Sequence, residues 1–421
     1  MNRSIWKALL PLAIILLILH SCCPPWQDCK EPMPGPDSTR FKDLPYEVVW
    51  QTPLFRDTNY SITDFKPILF KDKVIFARRK GRSQSVQIVS YDKKNGDRRW
   101  EWEEEVRNLN FTDNYLILND TLVVVSGSQI YLIDMNTGNT IYEINKIINE
   151  DFVPIGPISY YRERIYHCSE KKFKDSLTYI RSVDLETYKW RTEVVDHVDS
   201  LGDLLAVYPP SVWLTNNQDT ILVSVKRIAN YQETNRDRCN LISYNITADT
   251  VLWERRNVDR VGSIIESPRI EGDRIYFIGT RDVSCFNKYT GELIWKTHVV
   301  EDGGVLLTST PIYTRDTIFL LSTTEDVTAL DKVTGRILFN NKCSGNGHYL
   351  TLYKDRLYRA FIEFDIIDAK DGEVLLNIKY THNYSRRTAG VWSNGVTIDP
   401  ETELMYVEDG FFAMCLTIPE T

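Results

Sequence analysis

The sequence predicts an all-β fold, an eight-bladed β-propeller of four-stranded antiparallel blades closed by pairing of the N-terminal strand with the C-terminal strands. Three observations predict it. A hairpin-turn motif recurs along the chain, short apolar runs precede every copy, and the final run lacks a strand that the start of the repeat region supplies.

The motif is clearest in NKYTGELIWK at 287 to 296. It returns as DKKNGDRRW at 92, DMNTGNTIY at 134, NITADTVLW at 245, DKVTGRILF at 331 and DAKDGEVLL at 368, with a shortened DLETYKW at 184. An Asp or Asn side chain bonds the backbone two residues on, and Gly accepts positive φ, so each copy reverses the chain between two strands. Runs such as RIYFIGTRDVSCF and TIFLLSTTEDVTAL precede the turns, and a further Gly-Asp, Lys-Asp or Arg-Asp pair marks an earlier hairpin. One unit is therefore four short strands.

The first residues of the seven turns are separated by 42, 50, 61, 42, 44 and 37 residues. A four-stranded unit at that period signals a propeller blade, which must stack on its neighbours to bury both faces. A length of 421 residues would by itself suggest two or three domains, but the repeat makes residues 46 to 421 one domain. Residues 395 to 419 supply three strands of an eighth blade, and YEVVWQT at 46 to 52 resembles the outer strand ELIWKT. Pairing the two would protect both exposed edges.

Residues 1 to 21 read as a secretory signal, with a basic start and an apolar run from Ala8 to Leu19 too short to span a bilayer. Leu19, His20, Ser21 and Cys22 resemble a bacterial lipobox, which makes Cys22 the expected lipid attachment site. An ordinary signal or a signal anchor is the competing reading. With Cys23 rather than Asp after it, similarity to proteobacterial sorting implies the outer membrane of a Gram-negative bacterium, with the chain facing the periplasm or the surface. Residues 22 to 45 carry Pro24, Pro25, Pro32, Pro34, Pro36 and Pro45 and read as an extended tether reaching at most roughly 70 Å.

Net charge of −8 argues against a nucleic-acid or anionic-surface binder. Cys168, Cys239, Cys285, Cys343 and Cys415 are scattered over different blades with no metal-ligand spacing, and the sequence does not pair them. Cys285 and Cys415, flanked by apolar residues, read as small buried hydrophobes. His167, His197, His298, His348 and His382 form no cluster, and no nucleophile elbow or phosphate loop occurs. The expectation is no catalytic residue, no metal and no cofactor.

The spacing Ala-x-Asp-x-x-Thr-Gly-x-x-x-Trp resembles the repeat of pyrroloquinoline quinone (PQQ)-like propellers. Ala329, Asp331, Thr334 and Gly335 match it with Phe339 in the Trp place, and Asn287, Thr290, Gly291 and Trp295 match it with Cys285 in the Ala place. The resemblance implies that the outer-strand aromatics, Trp50, Trp100, Trp253 and Trp295, with Tyr142, Phe339 and Leu376 as replacements, dock on the neighbouring blade. The third blade, with Trp190, is two residues short.

Quinoprotein dehydrogenases share this repeat but carry calcium ligands and, in some, a vicinal cysteine pair on the quinone; the adjacent pair here is Cys22 with Cys23. The lipobox, tether, blade number and size are similar to those of BamB-type lipoproteins of the outer-membrane β-barrel assembly machinery. That similarity implies a non-enzymatic scaffold for envelope proteins, with a glycan- or peptide-binding lipoprotein as the alternative.

Loops joining second to third strands open on one face. Three are long and basic: Arg78 to Ser85, Ser169 to Ser176, and Lys226 to Cys239. With the linker VVDHVDSLGDLL on the same face, they nominate Arg227, Arg236, Arg238, Leu201, Leu204 and Leu205 as partner-binding candidates. Solvated hairpins are the competing reading.

Overall fold

The computed structural model describes residues 45–54, 60–62, 65–80, 85–104, 115–126, 129–144, 152–171, 177–197, 203–207, 210–230, 238–259, 267–300, 306–323, 326–343, 349–360, 363–379, 395–408 and 412–420. The signal, Cys22 and nearly all of the expected tether lie outside them. The strands form eight antiparallel sheets, one per blade. Blades are numbered 1 to 8 from the first complete unit, and strands within a blade are counted from innermost to outermost.

Each recurring motif forms the turn between third and fourth strands. Asp331 shows the mechanism: its Oδ1 accepts the amides of Val333 at 3.0 Å and Thr334 at 2.7 Å, while the Gly335 amide donates to the Asp331 carbonyl at 2.8 Å. Gly335 takes φ +73, the left-handed region where a side chain is disfavoured. The amide after the Asp or Asn then donates back to the hairpin of the first two strands, as Lys93 does to the Asp72 carbonyl at 2.9 Å. Both hairpins of a blade are thereby tied together at one end.

The apolar core lies between the blades, in eight clusters, one at each junction. Strand alternation produces this. In the second strand of blade 1, Ile75 and Ala77 face blade 2 whereas Val74 and Phe76 face blade 8.

At the outer edge, a β-bulge turns an aromatic ring onto the next blade. The bulge between Ser90 and Tyr91 sets Trp100 opposite Ser90; its indole lies over Gly138 of blade 2 and donates to the Met135 carbonyl at 3.0 Å. Trp50, Trp253, Trp295 and Phe339 lie likewise over Gly96, Gly291, Gly335 and Gly372. Where blade 3 carries Tyr188 in the glycine's place, at φ +55, the Tyr142 ring stacks on it at 3.8 Å. Leu376, the aliphatic replacement, packs against the apolar cluster between blades 7 and 8 that contains Tyr46.

The junction between blades 3 and 4 departs from the pattern. The shortened turn carries no bulge at this place, so Trp190 pairs with Val183 and meets His167 of its own blade edge-on at 5.2 Å. Asp249, at φ +53, holds the glycine's place opposite. An inner contact serves this joint: Ser159 Oγ donates to the Pro210 carbonyl, which precedes the inner strand 211–214 of blade 4, at 2.5 Å. The same hydroxyl latch recurs from Ser211 to the Pro268 carbonyl, from Thr351 to that of Val396, and from Thr397 to that of Pro67 at 2.5 Å.

Closure follows the expected scheme. Strand 48–53 pairs with 412–417, with a bulge between Val48 and Trp50 as in the covalently linked blades. The Thr417 amide donates to the Glu47 carbonyl at 3.0 Å, and the Glu47 amide to Thr417 Oγ1 at 2.8 Å. Lys93 of blade 1 bonds Asp399 of blade 8 at 2.9 Å, while its carbonyl accepts Trp50 Nε1 and the Tyr406 hydroxyl, each at 3.0 Å. Burial alone would raise the Asp399 carboxyl, but bonds from Lys93, the Glu401 amide and Thr402 together hold it below the usual carboxylate range.

A Cβ at Gly335 would sit 2.5 Å from the Trp295 ring, whereas one at Gly272, φ +59, meets nothing within 4 Å. Gly335→Ala is expected to lose about 2–4 kcal/mol in urea unfolding from strain plus overpacking, and Gly272→Ala about 1 kcal/mol from strain alone. Asp399→Asn is expected to lose about 1.5–3 kcal/mol at pH 7, the worth of charge-assisted hydrogen bonds. A depressed carboxyl contributes stability above its unfolded pKa of about 3.9 and loses it as pH falls through the folded value, so the gap to wild type should narrow below about pH 4.

Candidate functional site

The face that carries the second-to-third-strand loops is uneven. Second strands reach Lys80 in blade 1, Lys171 in blade 3 and Asn230 in blade 4, but stop after five residues in blades 5 and 7. In blade 4 the eleven-residue strand 220–230 is long enough to pair with two successive inner pieces, 203–207 and 211–214. The upper piece projects as a three-stranded extension with 238–245.

Four of the six nominated partner-binding residues meet there. Leu204 is opposite Ala229, Leu205 opposite Ile228, Arg227 opposite Cys239, and Ile228 opposite Arg238. Arg238 is exposed and Arg227 half-buried. Leu201 and Arg236 lie outside the described residues, as do the side chains of Leu204 and Leu205. Arg227 and Arg238 are thus strand residues, where the sequence suggested a loop.

Arg78, the first residue of another expected basic loop, differs more sharply. It is fully buried, donating to Gln87 Oε1 at 2.6 Å, to the Leu54 carbonyl and to Glu101 at 2.9 Å. A buried guanidinium is tolerated when its donors are matched in this way. Related polar pairs occur in other blades: Asn240 with Glu254 at 2.7 Å and Asp282 with Lys296 at 2.7 Å at the level of Gln87, and Arg359 with Asp365 at 3.6 Å two residues nearer the tight turns. They satisfy charge beneath the face.

The titratable groups show what this face can do. Burial pushes His167 down to about 4, which keeps it neutral, and pushes the thiols of Cys285 and Cys343 up to about 11 and Cys415 to about 12. These cysteines are buried thiols, far from the thiolate form that reacts. Among the described residues no group of three or more His, Cys, Asp or Glu is placed to hold a metal ion. What the face offers is a projecting sheet edge with an exposed cation.

Sequence reasoning missed the projection because it ended the strands too early. The signal was present: TILVSVKRIAN continues past the ring, and DLLAV is the short apolar run that pairs with it.

Residues 237–391, from the third strand of blade 4 through blade 7, match the family model described as outer membrane protein assembly factor BamB. No curated protein matches the chain in sequence. Among solved structures, BamB from Moraxella catarrhalis is similar at 14% identity with a TM-score of 0.53, covering 88% of this chain and 99% of that one. The computationally designed Ika8 protein gives 11% and 0.58, covering 87% and 99%. A europium-containing methanol dehydrogenase gives 9% and 0.58, covering 89% and 93%. Likenesses this distant speak to the fold, which BamB and the dehydrogenase share. The chain is thus an eight-bladed β-propeller, closed between its first and last strands, whose residues 237–391 resemble the BamB family.

Proposed function

We propose that this protein is a non-enzymatic, lipid-anchored scaffold of the cell envelope. In this reading it holds proteins of the outer-membrane β-barrel assembly machinery on the raised strands of blades 3 and 4. The carrying observation is the convergence of Leu204, Leu205, Arg227 and Arg238 on one projecting sheet, whose third strand, with Arg238, opens the segment that matches BamB. A strand edge without a ladder partner among the described residues offers backbone hydrogen bonds to a partner, and a cation on a protein of net charge −8 favours an acidic one. Attachment through Cys22 would hold the ring at the outer membrane, facing the periplasm.

Copurification after mild detergent extraction tests this reading. Wild type is expected to recover a barrel-assembly subunit. Arg236→Glu with Arg238→Glu should weaken capture at least tenfold, and Arg238→Glu alone, at an exposed side chain, should keep stability within about 0.5 kcal/mol of wild type. Asp273→Lys and Asp316→Lys, in hairpins on the opposite face, should leave capture intact. Arg227→Glu is expected to lose about 1–3 kcal/mol, because the side chain is half-buried. Recovery of a transporter, or of nothing, would instead favour a glycan- or peptide-binding lipoprotein.

A further inference from the structure

The innermost strands surround a cavity of about 470 Å³, lined by residues of blades 1, 2, 6 and 7. Its walls include Tyr115, Tyr313, Tyr349, Thr351 and Leu352. Among the described lining residues there is one cation, Lys66, and no Asp or Glu. That is an unusual lining for an acidic protein.

Lys66 lies two residues ahead of the first strand of blade 1, and its Nζ is 3.4 Å from the Leu350 carbonyl of blade 7. It therefore reaches past blade 8. The residue in the same place there is Gly395, at φ +77, where a Cβ would fall 2.7 Å from Tyr349. Glycine thus keeps that wall thin beside the amine.

Burial lowers the Lys66 amine from its ordinary value to about 8, and no charged neighbour contributes to the shift. Among the described residues, the other titratable groups lining the cavity are Tyr115, Tyr313 and Tyr349, from blades 2, 6 and 7, while blade 8 begins with Gly395 and Val396. Lys66 is then mostly protonated at pH 7, a half-buried cation with a carbonyl at long hydrogen-bonding distance. An anion seated on it gains a charge-assisted hydrogen bond and offsets the desolvation of the amine. Cavities of roughly 300–1,000 Å³ with mainly apolar and aromatic walls and a few fixed polar groups suit small organic ligands.

We propose that the axial cavity binds a small organic carboxylate, its apolar body against Tyr115, Tyr313 and Leu352 and its carboxylate on Lys66. The site is independent of the partner face, so failure of one reading leaves the other standing.

Calorimetric titration of the purified full chain with benzoate, and with benzamide as its uncharged counterpart, tests the proposal. Benzoate is expected to bind wild type one to one at pH 7, with benzamide at least tenfold weaker. Lys66→Met should weaken benzoate at least tenfold. The carboxylate favours protonated Lys66, so affinity holds below about pH 8 and should drop at least tenfold by pH 9.5. Absence of saturable binding, equal binding of benzamide, unchanged binding by Lys66→Met, or affinity independent of pH would each overturn the proposal. Should Lys66→Met fail to fold, the benzamide comparison and the pH series on wild type decide by themselves.

Discussion

A blade of this ring has a core only by virtue of its neighbours. Successive residues of each second strand point to opposite junctions, so Val74 and Phe76 are covered by blade 8 and Ile75 and Ala77 by blade 2. Apolar burial is the dominant favourable contribution to folding, and here it is completed only when the last junction forms. Every other device in the structure serves that constraint. The bulge aims the ring of Trp100 at blade 2, the turn glycine removes the side chain that would block it, and strand 48–53 supplies the edge that the eighth blade lacks.

The joint between blades 3 and 4 shows that the constraint, rather than any one device, is what the fold maintains. Here the outer ring is absent because the turn is short, and Trp190, opposite Val183, packs instead toward the junction with blade 2. Its apolar cluster of Tyr166, Cys168, Ile180, Leu222 and Ile242 is nonetheless buried, and Ser159 ties the inner edge to Pro210. The lower strands of blade 4 thus keep their register under an extension that rises above the ring. The irregular joint and the projecting sheet are neighbours, and both depart from the repeat that fixes the other blades.

Features set by adjacent residues were legible in the sequence. Turns at Asp92, Asn287 and Asp331, the blade count and the closing strand all follow from local turn chemistry and from a period. Features set by contacts across strands and between blades were not. Arg78 reads as a surface cation until Glu101, twenty-three residues away, is seen beside it. The inner latches join residues such as Thr397 and Pro67 that are far apart in the chain, although the recurring Pro before an innermost strand, in Pro67, Pro210 and Pro268, was a visible trace of them. Lys66 gave no signal at all, because its surroundings come from four blades.

Closure through Glu47 and Thr417 also sets how the ring would carry a load. Strand 48–53 begins beside the end of strand 412–417, so the chain at Tyr46 and Glu47 lies on the face of the tight turns and the raised strands of blade 4 point the other way. A pull on that chain, away from the ring, runs lengthwise along the closing strand. Its bonds to residues 412–416 would then resist together in shear instead of parting one after another like a zip, and the seam that completes the circle is the one placed to bear tension.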